Sequence, residues 1–404
     1  DLSRMNRILE WDPATGRIVT EPGVTIEQLW KYIIPHGWWP PVVSGTMYTT
    51  MAGCASMNIH GKNCFKVGPF GNHIQEFDLL LPNGELKTCS REKNSDLFHA
   101  AIGGFGMLGC FTRIELQMKK VHSGRLLVEA FNTHDLPHMV EEFELRAGES
   151  DYLVGWVDCI AGGRGLGRGI VHRANYLPEG ADPESEQTLA VPQQELPSSI
   201  MGVPKSLMWW PLSYFVNNLG MRAINTAKYY AGYLMPQGVA HFQSHAGFAF
   251  LLDYVPNWKW SYLPGGLIQY QSFLPQDTAI DTYERLIRMA RKAGMPSYLG
   301  VFKKHIPDDF LMTHALDGYS LALDFRVTRK NRKALWNLTH RMDKVVLENG
   351  GKFYFAKDAT LRPGTAEEYV PPENFRQFFE IKKRVDPESL LQTNLSRRLF
   401  SEYL

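Results

Sequence analysis

The stretch "SDLFHAAIGGFGMLGCFTRIELQM" carries Gly104, Gly106 and Gly109, a literal G-x-G-x-x-G, but in an order that restricts the fold. A dinucleotide fingerprint needs a strand before the glycines and a helix after them, so that the pyrophosphate meets the helix N-terminus. Here a capped helix comes first, and the alternating strand "CFTRIELQM" follows. This order argues against a doubly wound Rossmann unit and for an α+β fold, in which the glycines permit close backbone approach at a tight turn.

The neighbouring segments agree. "RIVTEPGVT" alternates and then turns, and "TIEQLWKYIIPHGW" places Ile26, Leu29, Trp30 and Ile33 at helical spacing, with Thr25 as cap and Gly37 as stop. Pro82-Asn83-Gly84 separates two runs of "FDLLLPNGELKTC" and predicts a hairpin. After residue 124 the elements lengthen. "IDTYERLIRMARKAG" and "NRKALWNLTHRMDKVVLENGG" read as amphipathic helices ending at Gly294 and at Gly350-Gly351, and "GGLIQYQSFL" and "YSLALDFRV" read as strands of an antiparallel sheet. The Pro-, Glu- and Ser-rich residues 174–199 read as a mobile loop.

Composition narrows the function. A chain of 404 residues with 44% hydrophobic content can bury two cores, and a net charge of +1 argues against a nucleic-acid partner. Five cysteines without C-x-x-C spacing read as reduced, mostly buried thiols, and their spacing around His60 argues against a metal. No uninterrupted apolar run reaches transmembrane length. Residues 196–252 contain no Asp or Glu, and their only Lys or Arg are Lys205, Arg222 and Lys228, among many Trp and Tyr. Two readings stand: a cover of helices over the core or a pocket, or a surface for a membrane interface or anionic lipid.

The run "VVSGTMYTTMAGCASMNIHGKN" is dense in small residues and hydroxyls, which lets backbone approach a ligand closely and suits a phosphate-bearing cofactor. Together with "FGNHIQEFDLLLPNGELKTC", "DLFHAAIGGFGMLGCFTRIEL", "IQYQ", "VFKK", "ALDF" and "YFAKD", it resembles the flavin-dependent oxidases of the vanillyl-alcohol oxidase and p-cresol methylhydroxylase superfamily. Within that superfamily it is most similar to the branch that oxidises decaprenylphosphoryl-β-D-ribose, the oxidase half of a ribose-to-arabinose epimerase.

The resemblance implies an FAD-binding domain of the PCMH type built from two subdomains, and a cap or substrate domain with an antiparallel sheet flanked by helices. The expected divisions are 1–124 for the FAD domain, 125–351 for the cap, and 352–404 returning to the FAD domain. The superfamily's pyrophosphate-holding strand and loop are expected ahead of Asp1. By motif, Gly45, Thr46, Thr50, Gly53, Ile59, His60, Asn63 and Tyr354 match cofactor-contacting positions. His60, Gln269, Gln271, Lys303, Asp324 and Lys357 match positions around the substrate, with Lys357 and Tyr354 the expected catalytic pair. Ala322 and Ser320 replace a cysteine and an asparagine of that branch.

Oxidising a sugar alcohol removes a hydroxyl proton while a hydride passes to the flavin. A buried lysine could serve as base, or as a cation steadying the alkoxide. Gln269 and Gln271 share one strand face, turned to a polar pocket or to water. The implied substrate is a polyprenyl-phosphate sugar or another sugar alcohol, and an epimerase would also use a reductase partner. The alternatives are an aldonolactone or alditol oxidase acting on soluble sugars, a double-bond reductase of the same superfamily, and a non-catalytic flavin-fold remnant.

Overall fold

The smaller of two antiparallel sheets has five strands, in the spatial order Ile8–Asp12, Arg17–Thr20, Cys110–Gln117, Ile74–Leu80 and Leu86–Ser90, in a computed structural model that describes residues 2–200, 202–234 and 236–404. Its hairpin turns at Gly84, whose φ of 86° suits glycine. The helix Ile26–Ile33 buries Ile26, Leu29, Trp30 and Ile33, and Thr25 and Gln28 close a capping box at its start. The helix Ser95–Ala101 and the strand Cys110–Gln117 flank the glycine turn in the expected order. The expected side-chain cap of that helix is corrected: Asn94 takes φ 46° and donates its amide to the Thr88 carbonyl. At the turn, a Cβ on Gly104 would lie 2.3 Å from the Ala100 oxygen, and one on Gly109 2.8 Å from the Leu80 oxygen, so these glycines serve close approach.

The larger sheet has eight strands, in the order His241–Ser244, Arg125–Thr133, Gly169–Tyr176, Tyr152–Val157, Gly300–His305, Gly318–Arg326, Leu267–Pro275 and Lys352–Phe353. Helices Leu136–Ala147, Gln276–Lys292 and Arg332–Glu348 pack against it. Phe302 meets Phe143 and Tyr283 edge-on from these helices, which leaves the alternate residues Val301 and Lys303 on the opposite face. The last elements return to the smaller unit. Phe105, in the glycine turn, packs against Phe355, Phe378 and Phe400.

One expectation changes, and the acid-free stretch takes the first of its two readings. Residues 174–199 are no featureless loop: they include helices Ser185–Thr188 and Val191–Gln194. The buried Asp182 accepts from Ser123 and Thr188, and Gln194 donates to the carbonyls of Gly124 and Thr188. The polar residues that made the segment read as solvated are satisfied internally. In the acid-free stretch, helix Asn218–Leu234 covers the sheet, with Tyr229 buried against Trp156 and Ile170, and helix Trp209–Phe215 packs on that helix and on Trp258–Tyr262. Of its basic groups, Lys205 is buried over the Tyr254 ring and Lys228 lies over Trp156, leaving Arg222 on the open surface. The outward side exposes Trp210, Tyr214, Leu219, Tyr233 and Leu234. Among the described residues no helix is long and apolar enough to cross a membrane.

A buried ion pair fastens the C-terminal helix Pro372–Val385 to the glycine turn. Lys382 donates to Asp386 and to the carbonyls of Met107 and Leu391, and Asp386 also accepts the Leu390 and Leu391 amides. Removing one partner of such a pair strands a buried charge. Lys382→Met is therefore expected to lower stability by about 3 kcal/mol in urea denaturation, and Lys382→Met/Asp386→Leu by less than the single change. A loss under about 1 kcal/mol for the single change would show the pair to be idle.

Candidate active site

The segment Asn58–Asn63 projects one histidine between the two sheets. Thr50 caps helix Met51–Ser56 through the Gly53 amide, and Asn58, at φ 42°, then reverses the chain. Ile59 enters the core and His60 points toward the large sheet. A Cβ on Gly61 would lie 2.7 Å from Asn63 Oδ1 and 3.1 Å from the Val43 oxygen, so only glycine fits. Asn63 donates to the Pro41 carbonyl, and the Lys62 carbonyl accepts from Leu153 of the large sheet. The loop is thereby tied to both units.

Strand register supplies the opposite wall. Gln269 faces Asp324, Gln271 faces Ala322, Ala322 faces Val301, and Lys303 faces Ser320 across neighbouring antiparallel strands. A cavity of about 400 Å³ lies over this face, and Gly45, His60, Gln269, Gln271, Lys303, Asp324 and Lys357 all line it. Lys357 comes from the turn Phe355–Lys357 and donates its amide to the Tyr354 carbonyl. The Tyr354 ring stands 4.9 Å from His60 and 4.7 Å from His314. Asp358, next to Lys357 in the chain, pairs with Arg398.

The cavity is rich in cations. Lys62, Lys228, Lys303 and Lys357 line it, and Asp324 is its single carboxylate among the described residues. Burial pulls Lys357 down to about 8 against the pull of Asp324. Burial and then Lys357 pull Lys303 to about 8, and burial and then Lys303 pull Lys62 to about 7. Burial raises Asp324 to about 6 despite the hydrogen bond from Gln269 and the charge of Lys357. His60 is held well below its ordinary value by burial and then by Lys303.

One proton arrangement satisfies His60 in the polar chain through this wall. Lys303 Nζ lies 3.4 Å from His60 Nδ1, and the Gln271 side chain lies 3.1 Å from His60 Nε2 and from Ser320 Oγ. With Gln271 Nε2 toward His60, both ring nitrogens would have to accept, which a neutral imidazole cannot do, and Gln271 Oε1 is left buried without a partner. Exchanging the amide atoms resolves the first conflict and puts Nε2 at the position without a partner. Gln271 Oε1 then accepts from His60 Nε2–H and Ser320 Oγ–H, Ser320 accepts from His305 at 2.8 Å, and cationic Lys303 donates to His60 Nδ1.

Other expected residues lie outside the cavity. Thr46 donates to Asp253, Thr50 is a helix cap, Gly53 receives that cap, Ile59 is core, and Asn63 lines a second, smaller cavity with Lys66, His73 and Lys119. Sequence reasoning missed Tyr152, Trp156, His172 and Lys62 at the main cavity, and left Lys228 between a pocket cover and a surface. Lys62 was within reach, since it stands inside HGKN. Trp156 and His172 carry no local signal, because only the sheet order brings them there.

Residues 1–90 match the FAD binding domain family. Decaprenylphosphoryl-β-D-ribose oxidase of Mycolicibacterium smegmatis is 27% identical over 416 residues, which cover 99% of this chain and 84% of that protein. The chain is an FAD-dependent oxidoreductase. An uncharacterised protein of Streptomyces coelicolor is 26% identical over 381 residues, 93% of this chain and 100% of that one. A Neurospora crassa protein named for D-arabinono-1,4-lactone oxidation is 32% identical over 114 residues, 28% of this chain and 20% of that one.

The lysines of this oxidoreductase make its stability depend on pH. Lys62, Lys303 and Lys357 have folded values below the ordinary 10.5, so between about 7 and 8.5 the unfolded chain binds more protons and stability rises with pH. Melting temperature is expected to climb from pH 7 to 8.5 and the slope to flatten in Lys303→Met. A flat or falling curve for the unsubstituted protein would contradict this electrostatic picture.

Proposed function

We propose that the cavity seats the redox end of FAD beside a sugar whose secondary alcohol is oxidised, and that the sugar is a polyprenyl-phosphate pentose taken from ribose to its 2-keto form. The observation that carries this reading is the row Gln269, Asp324, Lys357, Lys303 and His60 around one cavity. The residues fit the cofactor: the cavity is lysine-rich, and Gly45 at its edge leaves only the Leu252 side chain within 3.4 Å of a Cβ. Gly45, His60 and Tyr354 would hold FAD at the cavity. Thr46, Thr50, Gly53, Ile59 and Asn63 would shape the backbone behind it. Bound FAD supplies the hydride acceptor.

The chain's own residues handle the proton and the orientation. Asp324 Oδ2 is buried without a partner, and Gln269 holds the other oxygen at 2.8 Å, so the free oxygen can accept from a sugar hydroxyl. Lys357, at about 8, can take the hydroxyl proton when neutral or steady the alkoxide when charged. Tyr354 fixes the turn that carries Lys357 and packs on His60. Cationic Lys303 adds positive potential through its contact with His60. An epimerisation would be completed by a reductase partner returning hydride to the keto sugar. A soluble aldonolactone or alditol is the second reading, favoured by the similarity to the Neurospora protein.

The exposed aromatic side of the acid-free helices supports peripheral docking on a membrane, where such a substrate would reside. Trp210→Ser/Leu219→Ser is expected to reduce co-sedimentation with anionic vesicles at least about fivefold, the lost apolar contact area setting the scale. Equal sedimentation of variant and parent would rule this surface out.

The catalytic reading is tested by flavin absorbance without oxygen. A polyprenyl-phosphoribose analogue is expected to bleach the flavin band, and Lys357→Ala to slow bleaching by about 10²-fold. Bleaching by an alditol but not by the phosphoribose would install the second reading. Unchanged bleaching in Lys357→Ala would remove the role given to that residue.

A further inference from the structure

The end of the cavity farthest from Gln269 contains two lysines and a histidine that the oxidation does not use. Five neighbouring strands form its floor, from Gly169–Tyr176 through Tyr152–Val157, Gly300–His305 and Gly318–Arg326 to Leu267–Pro275. With about 4.8 Å between strands, His172 on the first strand lies about 14 Å from the strand of Asp324 and about 19 Å from that of Gln269. His172 faces Val154 across the ladder. The Lys62 carbonyl is bonded to Leu153 beside it, and the Lys62 ammonium lies 4.3 Å from the Phe248 ring. Lys228 descends from helix Asn218–Leu234 to within 4.3 Å of the Trp156 ring. No carboxylate lines this end among the described residues, since Asp324 belongs to the other.

Burial and then Lys228 pull His172 to about 4, so it is a neutral donor, while Lys62, which donates to the Phe248 carbonyl, and Lys228 are costly as buried cations with no internal counter-ion unless a ligand supplies the negative charge. Tyr152, Val154, Trp156, Leu251 and Leu252 add an apolar wall beside them. We infer that Lys62, His172 and Lys228 form a subsite for the phosphate diester of the substrate, with the apolar wall taking the first part of its alkyl chain. The inference rests on the proposed oxidation of a sugar at the Asp324–Lys357 end. The strand spacing then measures the substrate, placing the reacting sugar and its phosphate at opposite ends of one cavity. Burial, with the charge of Lys303, pulls Lys62 to about 7, and a bound phosphate would hold it protonated.

Two soluble sugars test the subsite in the FAD-loaded protein: a ribosyl phosphodiester with a short alkyl group, and the matching methyl riboside without phosphate. The phosphodiester is expected to have at least about tenfold higher kcat/KM for flavin bleaching, as one charge-assisted contact implies. Lys228→Ala and Lys62→Met are each expected to remove about tenfold of that preference, mainly through KM, and to weaken the salt dependence of KM. An undiminished preference in both variants would overturn the subsite.

Inorganic phosphate separates this inference from the functional reading. If neither sugar bleaches the flavin, the oxidation as proposed fails, yet a phosphate-induced rise in melting temperature that Lys228→Gln abolishes would still support an anion site. Inorganic phosphate binding as tightly as the diester would make free phosphate the ligand, overturning the placement of the substrate's phosphate here. No rise in the unsubstituted protein, together with no preference for the phosphodiester, would overturn the site altogether.

Discussion

A slip of one residue of strand Leu267–Pro275 along Gly318–Arg326 would turn Gln269 and Gln271 into the helix-covered core, away from Asp324, so the candidate site depends on this register. Several contacts hold it. Phe273 and Ser320 are opposed on the cavity face, and the Tyr283 hydroxyl donates to the carbonyls of Ser272 and Tyr319 from the helix side. Ser297 donates to no partner in the pair but accepts the Asp324 amide through its hydroxyl, pinning the carboxylate's own strand. The polar wall is thus set by hydrogen bonds that lie mostly outside the cavity.

The electrostatics follow from that wall being dry. Lys62, Lys303 and Lys357 are drawn below the ordinary lysine range chiefly by burial, and Lys303 and Lys357 also oppose each other. A folded chain that gathers such groups gives up stability to do so, and the return is a positive potential aimed at bound negative charge. The same reasoning accounts for the His60 chain. With Lys303 donating to Nδ1, the His60 proton stays on Nε2 toward Gln271, which ties the histidine's proton position to the lysine contact.

Local signals carried far along this chain where a short window decides the structure. Thr25 with Gln28, the Pro82-Asn83-Gly84 turn, and the helix–glycine–strand order around Gly104 all involve contacts within a few residues, and each formed as read. Residues 174–199 and 196–252 were read by composition, which reports solvation only when polar groups meet water. Asp182 and Gln194 spend their polarity on Ser123, Gly124 and Thr188, so composition misjudged residues 174–199, whereas in 196–252 Lys205 lies over Tyr254 and Lys228 over Trp156, in line with the covering one of its two readings.

By itself, the sequence determined the helix Ile26–Ile33, the hairpin at Gly84, the helix–glycine–strand order that excludes a Rossmann turn, and the residue types that resemble a flavin-dependent oxidase, because these depend on periodicity, caps and short motifs. Only the tertiary structure decided that Lys62, His172, Lys228 and Trp156 share a cavity with Asp324 and Lys357, and that Thr46, Thr50 and Asn63 do not line it. The physical reason is that a cavity wall made across five antiparallel strands joins residues by sheet order and register, and those are set by long-range packing that no local window contains.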